Sequence, residues 1–181
     1  MGLKPMIKHR GGKAKEFGEY ERFIPNDVDT CYEPFLGGGA TFFRLMPRKA
    51  VVGDINEPLM NFYGDVRNRY GELMTADCEV SFRRAGTRDF TFLDSPYDCI
   101  FNDYGNQDAE KDGFAEKDHR RLARLFRGLK CRALMVIGHT PLTEELYGDL
   151  VKAEYAKSYA VNIRNRFKPQ ATHYVVTNYE V

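Results

Sequence analysis

Residues 133–137 read Ala133-Leu134-Met135-Val136-Ile137, an apolar stretch with no polar interruption; Gly138 extends it, and Cys131 stands just beyond Arg132. A strand with one face in water alternates apolar and polar residues. A continuous run belongs to a strand covered on both faces, as in parallel sheets flanked by helices. The surrounding pattern agrees. Residues 115–129 place Leu122, Leu125, Phe126 and Leu129 at helical spacing with arginines between them. Further strands are predicted at 30–35, 50–53 and 90–93, with helices starting at Ala40 and spanning 57–70. Residues 15–24 predict a short amphipathic helix, and Thr140-Pro141 a helix to Leu150. Residues 72–89 read as short and irregular. Two last strands, 156–163 and 172–179, predict an antiparallel hairpin. The expected fold is an α/β sheet, mostly parallel, with an antiparallel edge. A chain of 181 residues suits a single domain spanning 1–181.

Two of the predicted strands end on residues suited to a cofactor. The first runs into Glu33-Pro34-Phe35 and then Gly37-Gly38-Gly39, followed at once by a helix start. Glycines let the backbone approach a ligand, and the helix amino end offers free N–H groups. The spacing is neither a dinucleotide fingerprint nor a phosphate loop. The second strand ends on Asp54, followed by Ile55. Asp54 stands about 20 residues past the glycine-loop strand, the distance from which an acid reaches ribose hydroxyls. An aspartate at a strand end also serves as a helix cap, but Asn56 can take that role here.

A third strand, 90–93, ends on Asp94-Ser95-Pro96-Tyr97. Proline cannot continue the hydrogen-bond ladder, so the chain turns there. The turn leaves an acid, a free carbonyl and an aromatic ring at the carboxyl end of a strand, where open α/β sheets bind ligands. These groups suit a planar base held by its exocyclic amine. Residues 98–113 predict a long polar loop beside the turn.

Other classes find little support. The net charge is +1, so bulk charge does not point to nucleic acid, although arginines cluster at 83–88, 120–132 and 164–168. No run of about 18 apolar residues is present, so no membrane span is expected. The amino end lacks the apolar core of a signal peptide, and a cytoplasmic location is expected. The four cysteines are scattered and read as reduced, packed thiols, and the four histidines show no metal-ligand spacing.

Taken in order, the motifs resemble one family. Lys4-Pro5 through Gly11-Gly12-Lys13 is similar to the amino-terminal segment of the Dam-like DNA adenine-N6 methyltransferases, with His9 where tryptophan is usual. Glu33–Ala40 resembles their cofactor loop, and Asp54-Ile55-Asn56 with Leu59, Asn61 and Tyr63 their Asp-Ile-Asn segment. Asp94-Ser95-Pro96-Tyr97 resembles Asp-Pro-Pro-Tyr. Phe114 with Asp118-His119 and Leu122 looks like the helix that follows, and Val176–Tyr179 like the closing Ile-Thr-Asn-Tyr. The resemblance covers nearly the whole chain. Two departures stand out. Ser95 replaces a proline, keeping the carbonyl but not the rigidity. About 40 residues separate Asp54 from Asp94, where the family usually carries a target-recognition segment. A usual acid upstream of the catalytic strand is also missing, with Ser81-Phe82 near its place.

The resemblance implies a Rossmann-like class I methyltransferase sheet with helices on both faces, and S-adenosylmethionine as cofactor. It implies catalysis by Asp94, Ser95, Pro96 and Tyr97 on adenine flipped out of DNA. Cofactor binding falls to His9, Lys13, Glu33, Pro34, Phe35, Gly37, Gly38, Gly39, Asp54, Ile55 and Asp94. No metal is expected. With the recognition segment absent, a separate specificity partner is an expectation too. Two other readings are a methyltransferase for RNA or another amine, and a non-catalytic cofactor-binding subunit.

Overall fold

A computed structural model describes residues 15–66, 72–98, 114–158 and 170–181. The chain divides into two compact units. The first comprises Met1–Asp94 and Leu129–Leu134, the second Ser95–Gly128 and Met135–Val181.

In the first unit, α1 (Phe17–Tyr20) passes into a 3-10 turn at Glu21–Phe23. Then strand and helix alternate: β1 (Cys31–Glu33), α2 (Ala40–Leu45), β2 (Ala50–Asp54), α3 (Glu57–Val66), β3 (Glu72–Thr75), α4 (Cys78–Arg84) and β4 (Phe90–Leu93). The strand order is β3-β2-β1-β4, and the next neighbour is β5 (Arg132–Gly138), whose first residues belong to this unit. β1 pairs in parallel with β2, Cys31 opposite Ala50, and with β4, Cys31 opposite Phe90. The chain first adds strands on one side of β1 and then returns to the other. The crevice at that reversal is where doubly wound sheets bind their ligands.

Side chains alternate across a strand, so β2 shows how both faces are covered. Ala50 and Val52 pack with Leu36 and with Leu59, Met60 and Tyr63 of α3. Val51, between them, packs with Tyr32, Ala85 and Cys131. Helical and loop segments thus bury both sides of the strand, as the apolar patterning requires.

In the second unit, α5 (Glu116–Arg127) buries His119, Leu122, Ala123 and Phe126 on one face. Phe126 meets Tyr147 of α6 (Pro141–Tyr147) edge-on at 6.0 Å. Truncating a buried phenylalanine of this kind costs about 3–5 kcal/mol. Thr140 caps α6, its hydroxyl accepting the Thr143 N–H, and Pro141 takes the first helical position. The remaining strands follow the order β5-β7-β6, with β6 (Val151–Ser158) antiparallel to β7 (Gln170–Thr177).

The alternating α/β pattern, the parallel strands and the terminal hairpin match the sequence expectation. The differences are local. Residues 72–89 are not irregular: they hold β3 and α4, the latter capped by the Asp77 carboxylate on the Glu79 N–H. β6 starts five residues before the predicted position, at Val151, because Val151, Ala153 and Tyr155 alternate with Lys152 and Glu154 at a strand's period. The helix predicted to Leu150 ends at Tyr147 and tightens into a 3-10 turn. The polar loop expected at 98–113 lies outside the described residues beyond Asp98, and so does Cys99. Among the described residues Cys31, Cys78 and Cys131 form no disulfide, and no helix is long and apolar enough to cross a membrane.

Candidate active site

In the first unit the carboxyl ends of β1, β2 and β4 carry Glu33, Asp54 and, one residue past Leu93, Asp94. The glycine loop between β1 and α2 is shaped by its own backbone and by β2. Leu36 donates to the Gly53 carbonyl at 2.8 Å, and Gly39 donates to Leu36 at 2.7 Å. Gly37 and Gly39 take positive φ angles, 48° and 67°. Gly39 lies so close to Phe43 that a Cβ there would meet the ring at 2.9 Å.

Gly37 is held at both polar groups. Its N–H donates to Oδ2 of Asp54 at 2.9 Å, and its carbonyl accepts the Tyr63 hydroxyl at 3.3 Å. The other Asp54 oxygen accepts the Asn56 N–H at 2.9 Å. Asn56 in turn accepts the Leu59 N–H and so caps α3, the role the sequence assigned to it. Each carboxylate oxygen has a second lone pair, so Asp54 retains acceptor capacity. Ile55, beside it, stands 79% exposed, which is exceptional for an isoleucine. Pro34, Gly38 and Gly39 are buried, and Phe35 is half-buried.

Glu33 is the electrostatic centre of this region. It is 2% exposed, and its Oε2 has no hydrogen-bond partner among the described residues. Burial holds its carboxyl well above the usual carboxylate range, and the charge of Asp94 pushes the same way. A hydrogen bond from the Phe42 backbone opposes both. Tyr20 stacks on Phe92 and shares a hydrogen bond with the Thr41 hydroxyl at 2.9 Å. Burial raises its phenol pKa, the Thr41 bond opposes this, and Glu33, Asp94 and Glu16 add to the rise. Tyr63 is pushed up to about 12 by burial, then by Glu33 and Asp54.

The unit boundary falls directly after Asp94, so the rest of the predicted turn belongs to the second unit. Ser95 is 2% exposed, with its Oγ unpartnered among the described residues. Pro96 and Tyr97 are half-buried. The Tyr97 ring meets His173 of β7 edge-on at 5.0 Å, and His173 also meets Tyr155 at 5.5 Å. Asp98 accepts the Thr140 hydroxyl at 2.7 Å. His119 of α5 is fully buried against Phe114, and burial lowers its pKa.

His9 and Lys13 lie outside the described residues. Ser81 and Phe82 are buried in α4. Sequence reasoning missed Tyr20, the grip of Tyr63 on the loop, and His173. The hydrophobic spacing of Tyr20 and Tyr63 marked them as core, and their hydroxyl partners depend on chain segments far apart in sequence. The first two arginine clusters also look different in place, while the third, at 164–168, lies outside the described residues. Arg83 pairs with Glu79, Arg88 with Asp29, Arg120 with Glu116 and Glu145, Arg127 with Asp149, and Arg132 with Asp27. Much of their charge is matched by neighbouring carboxylates.

Comparison with known proteins gives likenesses in sequence and in fold. Residues 9–80 match the family described as D12 class N6 adenine-specific DNA methyltransferase. The chain is similar to the Type II methyltransferase M.CviBI of Paramecium bursaria Chlorella virus NC1A, 26% identical over 98% of this chain and 100% of that protein. The match extends over 265 residues, well beyond the 181 of this chain, so tens of positions have no counterpart here. A DNA adenine methylase of Haemophilus influenzae is 35% identical over 44% of this chain, a match that spans only 30% of that enzyme. The fold is similar to the C-terminal domain of precorrin-6Y C5,15-methyltransferase from Rhodobacter capsulatus. Its TM-score is 0.56 at 10% identity, covering 98% of this chain and 97% of that one. The fold is therefore that of the Rossmann-like methyltransferases, and residues 9–80 are similar to the D12 class N6 adenine-specific DNA methyltransferases.

Proposed function

We propose that this chain transfers the methyl group of S-adenosylmethionine to the exocyclic N6 of adenine in DNA. The observation that carries the reading is the placement of Glu33, the glycine loop, Asp54 and Asp94 at the ends of neighbouring parallel strands. The printed names of the relatives, Type II methyltransferase and DNA adenine methylase, point the same way. The residues suit the cofactor. Asp54 has lone pairs to offer a ribose, and Glu33 has an unpartnered buried oxygen.

When bound, S-adenosylmethionine supplies a methyl group already activated on a sulfonium. The work of the protein is then mainly orientation, worth several kcal/mol. Asp94 and the Ser95 carbonyl accept hydrogen bonds from the adenine amine, drawing its lone pair out of the ring and stabilising the charge that develops. Tyr97 stacks on the flipped base, at about 1–3 kcal/mol. Pro96 fixes the turn. Asp54 binds the ribose, Ile55 offers an apolar face beside it, and Glu33–Gly39 surround the methionine end, with His9 and Lys13 lining the pocket. All 181 residues act as one catalytic domain in a cytoplasmic protein, with a place in restriction-modification. Sequence preference is weak or is borrowed from a separate partner, a reading supported by the short span between Asp54 and Asp94.

Transfer of labelled methyl from S-adenosylmethionine to duplex DNA, single-stranded DNA and RNA tests this. N6-methyladenine in DNA is the expected product. Labelling of RNA alone, or of neither, refutes the assignment.

A further inference from the structure

We propose that His173 is a positioning residue that holds the Tyr97 ring, from β7, in the orientation needed to stack on a base. The inference rests on the methyl-transfer reading above and adds to it a residue far in sequence from the Asp94–Tyr97 turn.

Tyr97 stands on a turn, so its backbone and its ring are held by different means. Pro96 fixes the chain just before it. Asp98, just after it, accepts the Thr140 hydroxyl at 2.7 Å. Both restrain the main chain. The ring is only half-buried, and a tyrosine side chain keeps torsions that the backbone does not set. Ser95 stands where the motif it resembles has a further proline, so one pyrrolidine ring stiffens the turn instead of two.

Support for the side chain comes from the hairpin. His173 and Tyr97 lie 5.0 Å apart between ring centroids with their planes at 85°, the edge-to-face arrangement that aromatic pairs favour. His173 is wholly buried. Tyr155 fixes it in turn: it stands opposite His173 in the β6–β7 register and meets its ring at 5.5 Å and 65°. Cross-strand neighbours of this kind share one face of a sheet. The end of β5 borders the ring as well, because a Cβ on Gly138 would lie 3.7 Å from it. A row of rings thus leads from the regular hairpin to the turn, and side chains carried on strands keep their geometry more closely than those on loops. Orientation matters here because a displacement of about 1 Å can lower a rate on the order of a hundredfold.

Two variants separate volume from ring contact. His173→Leu fills much of the same space without an aromatic edge, and His173→Phe keeps the edge. Transfer of labelled methyl from S-adenosylmethionine to duplex DNA is followed in a single turnover of the full chain. His173→Leu should slow transfer by about tenfold with cofactor affinity unchanged, whereas His173→Phe should stay within about threefold of wild type. In a Tyr97→Leu background, adding His173→Leu should change the rate by less than about twofold, because both residues act through one ring. A residue that only supports the fold would give losses that multiply.

Relaxation of labelled tyrosine ring carbons reads the same contact without any turnover. The Tyr97 signal is identified by its absence in Tyr97→Leu. That ring should become less ordered in His173→Leu and stay ordered in His173→Phe. Rate losses that multiply, a Tyr97 ring as ordered in His173→Leu as in wild type, or no recovery in His173→Phe overturns the proposal. A wild-type protein that methylates no nucleic acid removes the methyl-transfer reading, and the order of the ring then decides by itself whether His173 holds Tyr97.

Discussion

The N–H of Gly37 donates to Oδ2 of Asp54 at 2.9 Å, tying the turn after β1 to the end of β2. Asp54 therefore shapes the glycine loop, in addition to the ribose-binding role proposed for it. Asp54→Ala strands two backbone donors, those of Gly37 and Asn56. Each costs about 1–3 kcal/mol when buried, less where water reaches. The variant should lose both thermal stability and cofactor affinity. Asp54→Asn, which keeps one acceptor oxygen, should recover part of the stability. Scanning calorimetry and titration calorimetry on the same samples check this, and an Asp54→Ala variant as stable as wild type would show that the aspartate does not hold the loop.

Gly39 and Gly64 make a contrast within one unit. At Gly39 the backbone is left-handed and an added Cβ would press on Phe43. Gly39→Ala should destabilise by about 1–2 kcal/mol from the backbone alone, with the clash in addition. Gly64 lies inside α3 with nothing within 4 Å of an added Cβ. Gly64→Ala should stabilise by roughly 0.5–1 kcal/mol. Urea unfolding of both should give shifts of opposite sign.

Asp94→Ala should abolish methyl transfer while leaving cofactor affinity within a few-fold of wild type. Burst measurements with labelled cofactor and DNA separate the two effects. Transfer at near wild-type rate would take Asp94 out of the chemistry.

Glu33 predicts a pH dependence of folding. Its carboxyl pKa is raised in the folded protein, so the folded state binds the proton more tightly than the unfolded chain. The stabilisation is complete below the unfolded value, near 4.3 on the reference scale, and is lost as pH rises toward the folded value. Glu33→Gln should remove this contribution and gain on wild type as pH increases. Melting temperatures measured from about pH 5 to about pH 8 test the sign, and a variant that falls behind wild type with rising pH would contradict it.

Much of this was visible in residue order because local chemistry dictated it. The unbroken run around Met135 demanded a doubly covered strand, and Pro96 demanded a turn. The three glycines after Phe35 demanded a backbone that side chains cannot follow. The weak places were those where pattern is short or depends on distant partners. Four residues of β3 and seven of α4 carry too little periodicity to stand out. The raised carboxyl pKa of Glu33 and the edge-on contact of Tyr97 with His173 arise only when separate segments meet. Arginines that look like phosphate grips in sequence turn out to be engaged with acids up to 105 positions away, as Arg132 is with Asp27.

The double grip on Gly37 also bears on how this motif can be transplanted. A peptide ending at Met46 would contain every glycine of the loop and the whole of α2. It would lack both Asp54 and Tyr63, and with them the groups that hold the Gly37 peptide from either side. Such a graft would carry the motif's spelling without its shape. In this chain the smallest segment that carries the loop with both of its holds runs from β1 through Tyr63.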